Sequence, residues 1–552
     1  MEPDLSDTEP IDLVEPERAP SRARRLVFAA AAVLLVVVLV VGAWPAGPLP
    51  ATPAQAADRA SVRVLTGSPS SIDPARHGDL GSAQFVAQLY ESLTAVDANL
   101  QIRPALAESW TVENGGTRVT FTLRDGLTFS DGAPLTAKDV VRSWRRLFDP
   151  DNQSPLASLI ADVAGARALL AGQTTDTATL GVAADGDRTV VVEMERGGAD
   201  LPTIVSSAPF AIVPPSVGIA EITPDPGKLV GSGAFTLKRV DRDSWTLQAN
   251  SRYWAGKPAI DAVKMVTTLG GASPVDEFEA GTIDIAPISW MDASWIRYDR
   301  QLGPTLRSHK SLSVTYYGFD TTRAPFDDVR VRQAFAAAVD WHRIAALDEP
   351  GSSIPATSLV PLGIPGAPEG DFIPAYDPEH ARALLAEAGY PGGAGFPELS
   401  FIASGGGYDE AVIAMAEQNL GVTINYASMD FGSYTYRLAT DPPQIWSLSW
   451  VADYPGPNDF LGVLLGTGST ANQGGWSNQA FDDAVASATS ATSPDAAMAG
   501  FTTALGLVRD EAPVVPVAYG TSWALVRDGL LGAYDNGQGI LRFAGMAWGD
   551  GQ

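Results

Sequence analysis

Trp450-Val451-Ala452-Asp453-Tyr454 is the stretch on which the reading of this chain turns. A carboxylate sits between two large aromatics, after an apolar run and before the corner Pro455-Gly456-Pro457. These residue types fit two roles. One is an anchor for a ligand ammonium, with Asp453 supplying the charge and Trp450 and Tyr454 supplying apolar walls and cation–π attraction. The other is a turn-capping aspartate ahead of a Pro-Gly-Pro corner. The local sequence leaves both open, and the surrounding chain has to choose.

Around that stretch, helical and strand patterns alternate without strict βαβ order. Phe85, Val86, Leu89 and Leu93 form a helical stripe over Gln84 to Leu93. Val119, Phe121 and Leu123 alternate with Arg118, Thr120 and Thr122 as a half-buried strand; Val190, Val192, Met194 and Trp245, Leu247, Ala249 repeat the pattern. Thr136 with Asp139 is a capping signal for a helix through Leu147. Asp328 is placed to cap a helix whose face carries Val331, Ala334, Phe335, Ala338 and Trp341. Asp377-Pro378 opens a helix that Gly389 closes, and Ser477 or Asn478 opens one carrying Phe481, Ala484, Val485 and Ala488. Such mixing indicates α/β lobes.

The chain has 552 residues, too many for one ordinary core. It is 45% hydrophobic and 18% charged, which is globular, and its net charge of −27 argues against binding nucleic acid. There is no cysteine, which excludes disulfides, thiolate metal sites and a lipid-bearing amino-terminal Cys. Residues 1–25 read as a disordered acidic cytoplasmic tail ending in an arginine cluster at Arg18, Arg22, Arg24 and Arg25. Residues 26–43 carry no charge and, as a helix, reach about 27 Å, one hydrocarbon thickness. The arginines before this span predict an N-in, C-out topology. Ala54-Gln55-Ala56 offers a small-residue cleavage site, so 26–43 is either a transmembrane anchor or a signal helix. Residues 44–60 form a Pro/Ala-rich linker.

Signs of catalysis are weak. His77, His309, His342 and His380 are far apart, with none at metal-ligand spacing, so no metal site is expected. Gly466-Thr467-Gly468-Ser469-Thr470 lacks the lysine of a phosphate loop, and no Gly-x-Ser-x-Gly elbow occurs. The pairs Asp327-Asp328 and Asp482-Asp483 lie at predicted helix starts, where they suit the helix dipole. No catalytic residue and no cofactor is expected.

The chain resembles the peptide-binding receptors of bacterial ABC importers, solute-binding protein family five. The resemblance rests on phrases in a fixed order: Ser71-Ile72-Asp73-Pro74, Leu89-Tyr90-Glu91-Ser92-Leu93, Pro104 through Trp110, Leu123-Arg124-Asp125-Gly126 and Ser130-Asp131-Gly132. Gly231 through Phe235, Asn250 through Trp254, Val329 through Ala334, Ala386 through Tyr390 and Pro513 through Pro516 continue it, and it covers Val62 to Trp548. It implies a two-lobed periplasmic-binding-protein-like fold of the large type II class, with two crossover segments, an extra subdomain in lobe I, and ligand held between lobes that close by a hinge. The implied partition is 61–98, 192–270 and 511–552 for lobe I, 99–191 for the inserted subdomain and 271–510 for lobe II.

Carried over by position, the resemblance makes Asp453 the carboxylate that holds the peptide amino terminus. Backbone at Ser449, Trp450 and Val451 would flank the peptide on one side, and Asp79 and Leu80 on the other, with Tyr454 beside the anchor. Phe431 matches an aromatic pocket wall that is usually Trp. Two positions depart from the family: Ser447 stands where some relatives carry an arginine for the peptide carboxylate, and Leu156 replaces a tyrosine. The expected partners are peptides, an ABC permease with its ATPase subunits, and the membrane through the amino-terminal helix; the receptor is expected to be a monomer at the extracytoplasmic face or exported after cleavage. Two rivals remain. A non-peptide solute such as an oligosaccharide would leave Asp453 buried and unpaired, and a membrane-anchored peptide sensor would need the span intact.

Overall fold

Two long strands organise the molecule. Leu306–Phe319 and Val514–Val526 run antiparallel over most of their length. Both are rich in Val, Tyr, Thr and Ser, which suit a pleated, half-buried surface. In this computed structural model residues 60–549 are described, except 153, 348–352, 406, 492 and 534. The acidic tail 1–25, the span 26–43 and nearly all of the linker 44–60 lie outside the described residues. Among the described residues no helix is long and apolar enough to cross a membrane.

The long pair lies at the middle of one mixed sheet. On one side follow Ile285–Ile288, Ser61–Leu65, Ala262–Val266, Ser244–Ala249 and Phe235–Val240. On the other follow Ile445–Val451, Leu399–Ala403 and Ile424–Ser428, while Ser353–Pro355 pairs with Val514–Val526 off this path. Each half contains parallel pairs covered by helices, and each has its own core. Val62, Val64, Phe85, Phe235 and Met265 fill the first; Val314, Phe335, Phe401, Phe460 and Phe501 fill the second. The result is two α/β lobes joined by two crossover strands.

A separate four-stranded sheet, in the order Ala107–Glu113, Arg118–Leu123, Thr189–Glu193, Val182–Asp185, makes the extra subdomain. Its core holds Phe121, Trp144, Val190 and Phe210. The helix Ala137–Arg146 begins at the predicted capping box of Thr136 and Asp139 and packs Trp144 edge-on against Phe121 and Phe210. Its last turn supplies Arg146, whose guanidinium grips Asp73 with two bonds of 2.5 Å, both side chains buried. Asp73 also accepts the Ala75 and Ile222 N–H groups, so one carboxylate ties the first residues of the fold to the subdomain.

The helix predicted over Gln84–Leu93 instead runs Leu80–Leu89. Tyr90 turns extended, and Gly231 and Gly233 bring their backbone against Leu89 so closely that a Cβ would lie 2.1 Å from the Leu89 oxygen at Gly231. Leu93 is buried, but in the subdomain core. Trp341 likewise falls outside the Val329–Ala338 helix, because Val339 is extended; its indole N–H still donates to Ala336 O at 2.8 Å.

Candidate functional site

Asp453 leaves the end of the strand Ile445–Val451 at the level where the long pair loses its register, between Lys310 and Val314. There Leu312 turns away from its neighbour strand. Its N–H donates to Gly537 O at 2.7 Å and its carbonyl accepts the Ala452 N–H at 2.8 Å. Two segments distant in sequence, 452–459 and 535–541, are thereby seated beside each other on the crossover.

The second segment is a loop folded around Asp535. Its Oδ1 accepts the N–H groups of Gly537 and Gly539, both with positive φ, and its Oδ2 pairs with His309 Nε2 at 3.0 Å. Burial would raise the Asp535 carboxyl, but the His309 bond and charge and the Gly537 and Gly539 N–H groups together outweigh it and lower it. Gln538 then reaches Asp453 O at 3.4 Å, while Gly539 lies against Leu80. On the facing lobe, Ser207 Oγ donates to the same Asp453 carbonyl at 2.7 Å. The Asp453 N–H donates to Asp459 Oδ2 at 3.2 Å, and the Trp450 indole N–H donates to that oxygen at 2.9 Å. The main chain of Asp453 is thus fixed from three directions.

Its carboxylate is not. No hydrogen bond or ion pair engages it among the described residues. Asp453 keeps some accessible surface, yet protein surrounds it closely enough that burial pushes its carboxyl up to about 7. Asp459 is 0% exposed, and its Oδ1 has no partner. Burial and the Asp453 charge push its carboxyl well above the usual range. Asp200, from the facing lobe, is raised by burial to about 7. All three carboxylates act on the Tyr454 hydroxyl, which burial drives far upward.

The remaining expected residues fall into place unevenly. Tyr454 is fully buried in the core of the extra subdomain and accepts a 3.0 Å bond from Asn458, so it pins the segment across the cleft rather than lining an open wall. Trp450 is half-buried, and Ser449 is exposed, its Oγ 2.8 Å from Thr315 Oγ1. Val451 pairs with Ser313. Asp79 caps the helix Leu80–Leu89 through Ser82; burial would raise its carboxyl, and bonds from Ser70 and Ser82 outweigh it and lower it. Leu80 is 43% exposed. Phe431, at the start of the helix Phe431–Thr440, is 62% exposed and makes no ring contact among the described residues.

Two cavities lie near this seam, neither lined by Asp453 itself. A cavity of about 490 Å³ opens beside Asn458, between Asp162 and Arg167 of the subdomain, with Arg196 just beyond it in sequence, and Gly466–Thr470 of the other lobe. Another, about 570 Å³ and mostly apolar, is lined by Leu80, Trp523, His309 and Leu541. Sequence reasoning missed Ser207, Gln538, Asp459 and Asp200. For Asp459 a signal existed: a second acid six residues past Asp453, beyond a corner that folds the chain back.

The family described as Bacterial extracellular solute-binding proteins, family 5 Middle, matches residues 101–472. This chain belongs to that family. It is 30% identical over 467 residues to the Escherichia coli K12 protein named "Probable deoxycholate-binding periplasmic protein", covering 82% of this chain and 86% of that one. It is 28% identical over 488 residues to the periplasmic murein peptide-binding protein of the same strain, covering 85% and 89%. The solved Escherichia coli murein tripeptide binding protein superposes with a TM-score of 0.77 at 27% identity, covering 88% of this chain and 98% of that one. The unliganded open form of that protein gives 0.70.

Proposed function

We propose that this chain is the extracytoplasmic receptor of an ABC importer, that it captures peptides between its lobes, and that Asp453 holds the peptide's ammonium group. The observation that carries the reading is a carboxylate with no protein partner, held by a rigid main chain at the seam between two lobes. A buried charge of this kind needs a cation, and a peptide amino terminus brings one with an extended backbone behind it. The peptide-binding relatives support this choice. A bile-acid anion such as deoxycholate brings no cation for Asp453, which opposes it.

In this reading Trp450 supplies an apolar wall, the backbone at Ser449 and Val451 meets one edge of the peptide, and Asp79 and Leu80 meet the other. Phe431 contributes an aromatic surface that ligand covers. The receptor performs no covalent chemistry. Lobe I takes 61–98, 192–270 and 511–552, the subdomain 99–191 and lobe II 271–510. Closure of the lobes is the signal read by the permease. The 26–43 segment either tethers the receptor as a monomer or is cut near Ala56, which amino-terminal sequencing of the native protein decides.

The test is native mass spectrometry of the full-length protein and of Asp453→Asn. Unmodified peptides should accompany the wild type and be lost from the variant. Recovery of steroid, sugar or no ligand in place of peptide would overturn the proposal.

A further inference from the structure

The larger of the two cavities has no part in holding the ammonium. Its volume of about 570 Å³ falls within the range of ligand pockets, and its wall is mostly apolar. It opens at the carboxyl end of the strand Ser61–Leu65, beside Ile285 of the parallel neighbour, which is where open α/β sheets take their ligands. The two crossover strands supply the rest of its floor.

Most polar side chains of the wall are already engaged. Asp535 accepts the Gly537 and Gly539 N–H groups and pairs with His309. Gln84 binds the Leu541 main chain in both directions, its Nε2 donating to the carbonyl and its Oε1 accepting the N–H, each at 2.7 Å. Arg307 turns its guanidinium to the Pro304 and Leu306 carbonyls. The hollow therefore offers little to a charged group or an extended backbone, and much to a hydrocarbon one. Trp523 is the open member of the wall. Its main chain is fixed in the ladder between Ile288 and Ser308, yet its ring is only half-buried. Among the described residues no aromatic ring or guanidinium stacks on it, and its indole N–H has no acceptor. A ring held rigid at an apolar hollow is a surface for another apolar group.

The hollow and the anchor share one loop. Gln538 reaches the Asp453 carbonyl, and the next residue, Gly539, lines the hollow against Leu80. We propose that the hollow receives one side chain of the captured peptide, that Trp523 is the residue that selects it, and that the receptor prefers peptides carrying an aromatic or large aliphatic residue at one fixed position from the amino terminus. The position is fixed because the anchored ammonium sets the register and an extended chain points alternate side chains to opposite faces. Burying such a side chain in place of a methyl group raises affinity about 10- to 100-fold. This selectivity rests on the peptide-receptor reading above, and the experiment separates the two.

The experiment is titration calorimetry of the full-length protein with an alanine tetrapeptide and with versions carrying a single phenylalanine at each position in turn. On wild type one position should gain about tenfold or more over the alanine peptide, and the positions next to it little. Trp523→Ala should bring that ratio close to one, and Trp523→Phe should keep most of it. Leu541→Ala, whose main chain Gln84 still holds, strips another part of the wall and should lower the same ratio; it decides the matter if Trp523→Ala does not fold. A merely structural role for either residue would weaken all the peptides alike and leave the ratio intact. Equal affinity for all the peptides, the same gain at every position, or a ratio unchanged in the variants that fold would overturn the selectivity and leave the receptor standing. No binding of any of these peptides would overturn both.

Discussion

Ser207→Ala should weaken ligand capture without weakening the fold. Ser207 is buried, and its hydroxyl spans the cleft to the Asp453 carbonyl at 2.7 Å. The other side-chain donor to that carbonyl, Gln538, stands at 3.4 Å. Removing the hydroxyl therefore leaves the carbonyl with one weak partner. The local main chain has no reason to move, because the Ser207 carbonyl keeps its bonds from Ser92 Oγ and the Phe210 N–H. A neutral hydrogen bond nets about 0.5–1.5 kcal/mol. Since this bond exists only when the lobes meet, the loss falls on closure, a shift of roughly 2- to 13-fold in the closed-to-open ratio. Ligand affinity carries that factor, because ligand needs the closed state. Calorimetry with an unmodified peptide should give a Kd raised by this amount, with the melting temperature of the free protein unchanged. Small-angle scattering should show a smaller compaction at subsaturating peptide. An unchanged Kd, or a loss matched by a drop in melting temperature, would refute the latch.

Other consequences are structural. Asp73→Ala strands the buried Arg146 guanidinium and should cost about 3–5 kcal/mol in denaturant unfolding, whereas Asp73→Leu with Arg146→Met should recover most of it. His77 is buried without a partner; burial, against Asp79 and Asp73, pushes its pKa down to about 4. From pH 6.5 down to about 4 the unfolded chain binds this proton and the folded chain does not, so stability falls with falling pH by about 3 kcal/mol in all. His77→Leu should remove that part of the slope in urea titrations across pH 4 to 7, and an identical slope would count against it. Gly537→Ala puts a Cβ 2.7 Å from the Lys310 oxygen at a φ of +96°, at a cost of about 1–3 kcal/mol, and should move Gln538 off Asp453 and weaken binding.

Local signals in the sequence survive folding where one segment contains the whole interaction. Thr136 with Asp139, Asp328, Asp377-Pro378 and Asn478 each cap the helix that their spacing foretells. The stripe ending at Leu93 misled because burial has two sources: Phe85, Val86 and Leu89 face one core and Leu93 another, past a break forced by the approach of Gly231 and Gly233. In the candidate site, the aromatic flanks of Asp453 mark it as a candidate and leave the anchor and turn-cap readings open. Its supports leave no such mark. Ser207 and Gln538 lie 246 and 85 residues away, and a lone Ser or Gln carries no signal of a partner that distant. The burial of Tyr454 in the opposite core is a product of lobe contact, which no local pattern encodes.

The most direct test of the ammonium anchor compares a free peptide with its N-acetylated form by calorimetry, on wild type and on Asp453→Asn. The account predicts tight binding only for free peptide on wild type. Acetylation or the substitution should each weaken it by about 10²–10³-fold or more, from roughly 3–5 kcal/mol for breaking an enclosed pair, and together they should cost little further. Equal affinity of wild type for free and acetylated peptide would contradict it.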